Sequence, residues 1–78
     1  MKPNYMNGIP LEAQYRYRQG LEMVNRQDNE TAVKYFRQAI FIAPGFCKAY
    51  DELGKCLEKM GRSGEAAVYR EKVSRFFC

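Results

Sequence analysis

The side chains that ordinarily carry chemistry are sparse in this sequence of 78 residues. Histidine is absent. That removes the usual general base, the commonest metal ligand and the group that activates a serine or cysteine nucleophile. Three cysteines are present, Cys47, Cys56 and Cys78, with no C-x-x-C pair. The pattern is neither a zinc knuckle nor a disulfide framework, and separate reduced thiols are the plain expectation. The competing arrangement joins Cys47 to Cys78, because the start of one helix meets the end of the next in an antiparallel hairpin. Cys56 lies about 13.5 Å beyond Cys47 along one helix, too far for those two to bridge. There is no glycine-rich phosphate loop and no H-E-x-x-H. No catalytic residue, metal ligand or cofactor is expected, and the chain reads as a non-enzyme.

Composition narrows the remaining classes. With 46% hydrophobic and 28% charged residues, the chain can bury a core and is not a disordered tail. Thirteen Lys and Arg against nine Asp and Glu give a net charge of +4, short of a concentrated basic footprint. Tyr15-Arg16-Tyr17-Arg18 pairs aromatics with cations as a single-strand-binding patch would, but consecutive helical residues point to different sides. Nucleic acid is therefore not the expected partner. The longest apolar run, Ala39 to Ala43, is far shorter than the ~20 residues that span a membrane, and Met1 to Tyr5 lacks the apolar core of a secretory signal. A cytoplasmic location without membrane contact is expected.

Four helical segments must position whatever surface does the work. Residues 1–12 form an extended lead with Pro3, Gly8 and Pro10, the helical pattern taking over near Leu11. The first helix runs to about Arg26, with Tyr17, Leu21 and Val24 on one face, widened by Tyr15 and Met23. Gln27-Asp28-Asn29 breaks it, and Asp28 or Asn29 caps a second helix reaching Ile42. That helix is apolar at Ala32, Val33, Tyr35, Phe36, Ala39, Ile40, Ile42 and Ala43, too broad a stripe for one neighbour, and predicts a helix packed between two others. Pro44-Gly45 ends it. The third helix, about Phe46 to Met60, places Phe46, Ala49, Tyr50, Leu53, Leu57 and Met60 on one stripe. Gly61 stops it, and Ser63 is placed to cap a fourth helix with Ala66, Tyr69, Val73 and Phe76 inward. Nothing alternates with period two. Short loops join antiparallel neighbours, so two helical hairpins side by side are expected.

The sequence also repeats. Shifted by 34 residues, Pro10 falls on Pro44, Gly20 on Gly54, Ala32 on Ala66 and Tyr35 on Tyr69. The glycine is expected to let the partner helix approach, with the alanine facing it. Tyr50-x2-Leu53-Gly54-x2-Leu57 followed by Ala66, and Gly20-x2-Met23 followed by Ala32-x3-Phe36, Ala39 and Pro44, resemble the tetratricopeptide repeat, a helical hairpin of 34 residues. The resemblance divides the chain into one repeat over 13–46 and a second, with the C-terminal helix, over 47–78. It implies an all-α fold, a fragment of a right-handed superhelical solenoid made of two antiparallel hairpins. Polar Arg16 and Gln19 in the first unit, and Arg70 and Ser74 in the second, replace the large apolar residues of the pattern. They read as finished ends of a self-contained pair.

What the resemblance implies about function is a protein-interaction module. In similar proteins the first helix of each unit lines a concave groove that holds a partner peptide. Carried onto this chain, the groove residues are Gln14, Tyr17, Leu21, Val24 and Asn25, then Lys48, Asp51, Lys55, Glu58 and Lys59. One half is apolar and the other mixed with a lysine excess, so the expected partner is a protein or peptide with an apolar anchor and acidic residues. An Asp51–Lys55 pair on a solvated face is the bland account of part of that charge. The competing functional expectation is a self-associating structural module, a homodimer through the C-terminal helix with Phe76 or Phe77 as anchor.

Overall fold

A computed structural model describes residues 8–75. Among them the protein is all-helical: α1 (Leu11–Asn25), α2 (Asn29–Ile42), α3 (Cys47–Lys59) and α4 (Ser63–Val73). Each helix packs on the next, and α1 also touches α3. The result is two hairpins laid side by side, α2 lying between α1 and α3 as its broad apolar stripe required.

The two hairpin turns are built alike. At the end of α1, the Gln27 N–H donates to the Val24 carbonyl and the Asp28 N–H to the Met23 carbonyl, both 2.9 Å. At the end of α3, the Gly61 N–H donates to Glu58 at 3.0 Å and the Arg62 N–H to Leu57 at 2.8 Å. These are the paired bonds that close a helix through one left-handed residue. Gly61 takes that conformation at φ 76°, and Gln27 takes it at φ 61°. Asp28 then caps α2, its carboxylate accepting the Thr31 N–H at 3.2 Å. Ser63 does not cap α4 as expected; Arg62 is the capping position, without a side-chain cap bond, and Ser63 is the first helical residue.

The core runs through both hairpins: Phe36, Leu53, Leu57 and Cys56 are its largest fully buried side chains. The Tyr17 ring joins the hairpins, its centroid 5.8 Å from Phe36 and 5.0 Å from Phe46, separations at which tilted aromatic pairs attract beyond their area burial. Ala32 and Ala66, matched by the repeat, are both wholly buried. The side chains nearest the glycines are not those of the alanines, although the Ala66 carbonyl lies 4.0 Å from the β-carbon position of Gly54. The space over Gly20 is taken by the Phe36 ring, and over Gly54 the nearest atom is the Arg70 Nε. A long side chain one turn further on fills each gap. Tyr15, expected to widen the apolar face of α1, is 57% exposed, because among the described residues no helix packs on that side of α1.

Candidate protein-interaction surface

The expected groove residues fall into three environments. On α1, the Gln14 amide is spent on the chain before the helix, its Nε2 donating to the Ile9 carbonyl at 2.8 Å. Tyr17 is 6% exposed and stands in the shared core rather than on an open wall. Leu21 and Val24 are half-buried and rest on the core, leaving an apolar edge, and Asn25 is exposed at the end of the helix.

On α3, Lys48, Asp51, Lys55, Glu58 and Lys59 are all exposed. Asp51 and Lys55 form the pair expected from their spacing, at 3.4 Å. Glu58 turns to the other side and accepts from the Arg70 guanidinium of α4 at 2.8 Å. It serves the α3–α4 contact, which the pattern of α3 alone does not reveal. Lys59 and Glu52 flank Cys56, a free and buried thiol. Burial, and secondarily the Glu52 charge, push that thiol up, partly offset by Lys59, so it is held as an unreactive side chain. Cys47 is disulfide-bonded, which corrects the expectation of a free thiol there. Phe76, Phe77 and Cys78 lie outside the described residues.

A second surface was not anticipated from the sequence. Between Glu12 and Arg16 of α1 and Arg37, Gln38, Phe41 and Ile42 of α2 lies an open cleft of about 320 Å³. Phe41, on the rim of that cleft, is 87% exposed, and Leu11, which precedes Glu12 in α1, is 81% exposed. The signal for Phe41 was present: it follows Lys34 by seven positions and Arg37 by four, and so interrupts the polar side of α2. The first hairpin therefore does not end in a purely polar surface, although Arg16 and Gln19 are polar.

Among the described residues no helix is long and apolar enough to cross a membrane. No protein-family model matches the chain, and no solved structure matches it. Photosystem I assembly protein Ycf3 of Acaryochloris marina is 29% identical over 80 residues, covering 95% of this chain and 48% of that protein. Uncharacterized protein MJ0572 of Methanocaldococcus jannaschii is 36% identical over 55 residues, covering 70% of this chain and 64% of that protein. The chain thus spans about half of one relative and less than two thirds of the other.

Proposed function

We propose that the chain is a non-enzymatic protein-interaction module of two tetratricopeptide-like repeats, with the α1–α3 surface receiving a segment of a partner protein. The observation that carries this reading is the contact of α1 with α3, the first helices of two like-built hairpins. It sets half-buried Leu21 and Val24 on the helix beside the one that exposes Lys48, Lys55 and Lys59. The likeness to a protein named for photosystem I assembly supports a role in bringing proteins together. The apolar edge supplies most of the affinity, because exposed ion pairs give little while apolar anchors dominate. The lysines raise the association rate toward an acidic segment and make it salt-dependent.

The test is capture of a partner by the tagged chain, followed by binding titrations with that partner. Leu21→Glu is expected to abolish binding while the helical circular dichroism is retained. Replacing Lys48, Lys55 and Lys59 by Ala is expected to weaken binding modestly and flatten its salt response. Binding that survives Leu21→Glu in a folded variant would remove the α1–α3 surface from consideration.

A further inference from the structure

The same face is covered in one hairpin and open in the other. The shift of 34 residues sets Phe46, Tyr50, Leu53 and Leu57 on Glu12, Arg16, Gln19 and Met23. The first four are buried, covered by the first hairpin and by α4. Of their counterparts on α1, Met23 packs on the core, while Glu12 and Arg16, with no preceding hairpin against them among the described residues, line the cleft of about 320 Å³. Of the large hydrophobics exposed among the described residues, Leu11, Tyr15 and Phe41 belong to this first hairpin, with Val68 on α4.

We propose that this face is a docking surface for a second copy of the chain, related to the first by a two-fold axis. Shape is one argument. The patch carries both a cleft and, on its rim, an exposed phenyl ring, so a two-fold axis seats each Phe41 in the other copy's cleft. Charge is the second. Arg16 and Glu12 lie one turn apart at 3.6 Å, and Arg37 is held by Glu65 at 3.2 Å. The patch has no surplus of either sign to demand an acidic or basic stranger. Two copies facing each other instead bring Glu12 of each toward Arg16 of the other. The third argument is closure. Head-to-tail stacking would instead set the patch against α4, whose described surface exposes Arg70, Glu71 and Ser74 together with Val68. A face-to-face pair covers the apolar patch of both copies at once, and such a pair is closed.

The test is light scattering and sedimentation of the whole chain over a range of concentrations. The expected result is a concentration-dependent dimer. Phe41→Glu, at a position 87% exposed, is expected to leave the helical circular dichroism unchanged and raise the dimer dissociation constant roughly thirtyfold or more. Glu12→Arg and Arg16→Glu are each expected to weaken self-association. An equimolar mixture of those two variants is expected to restore it, a rescue that a pair confined to one helix cannot give. A wild-type chain that stays monomeric at about millimolar concentration, a dimer indifferent to Phe41→Glu, or a mixture without rescue would each overturn the proposal.

Discussion

Phe36 lies against Gly20 so closely that a β-carbon on the glycine would stand 2.5 Å from the ring's Cε1. Phe36 is wholly buried, so its ring can give way only by displacing packed neighbours. Gly20→Ala is therefore expected to destabilise the fold by about 2 kcal/mol, overpacking outweighing the ~1 kcal/mol that alanine gains in a helix. Gly54 is the contrasting case. A β-carbon there would meet Arg70 Nε at 3.4 Å, an ordinary contact with a flexible chain. Gly54→Ala is expected to be neutral or stabilising by up to about 1 kcal/mol. Paired thermal melts of the two variants read the difference in sign.

Gln27 occupies the left-handed position that Gly61 holds in the second turn. A residue with a β-carbon is disfavoured there by roughly 1 kcal/mol. Gln27→Gly is expected to raise stability by about 0.5–1 kcal/mol, since its backbone bonds already match those around Gly61. Chemical denaturation should show a higher midpoint with unchanged slope.

Arg70 stands where the first hairpin has Phe36, and with Ser74 it remains exposed. Arg70→Phe combined with Ser74→Leu turns that side of α4 apolar and releases Glu58 from its 2.8 Å pair. The double variant is expected to associate into larger species than the wild type, because a contiguous apolar patch seeks cover. Sedimentation velocity measures this directly, and an unchanged distribution would remove Arg70 and Ser74 as the end cap.

Two carboxylates tie stability to acid. The side-chain hydrogen bonds from Arg62, then the charges of Arg62 and Arg37, hold Glu65 below the usual carboxylate range. Hydrogen bonds from Thr31 hold Asp28 below it as well. Both folded-state values are depressed relative to the unfolded chain. Their contributions are therefore complete above the unfolded values and are lost as pH falls through the folded ones. For both groups the decline sets in as pH falls into the ordinary carboxylate range of the unfolded chain and continues below it. Melting temperatures between about pH 6 and pH 3 should fall less steeply for Glu65→Gln and Asp28→Asn than for the wild type.

Much of the fold is legible in the order of residues alone. Apolar spacing in 11–25, 29–42 and 46–60 locates three helices to within a residue or two, because a helix that buries one face must repeat its apolar residues every three to four positions. Pro44, Gly61 and Asp28 mark the breaks, since each acts on the backbone locally. The repeat of 34 predicts two hairpins, and the breadth of the α2 stripe predicts that it lies between two neighbours.

The surface is less legible, and the reason is geometric. Periodicity shows that Tyr17 is on the apolar side of α1, but only the approach of Phe46 from the following hairpin, 5.0 Å away, takes it out of a groove and into the core. Spacing puts Glu58 near other charges of α3, yet its partner Arg70 is on another helix. The glycines match in sequence, while what fills the space above them, Phe36 in one hairpin and Arg70 in the other, depends on how two helices meet. The exposure of Phe41 and Leu11 likewise follows from which face lacks a neighbour. Local pattern determined the helices because their hydrogen bonds close within four residues. Which faces are covered was decided by contacts between helices, and those exist only once the chain has packed.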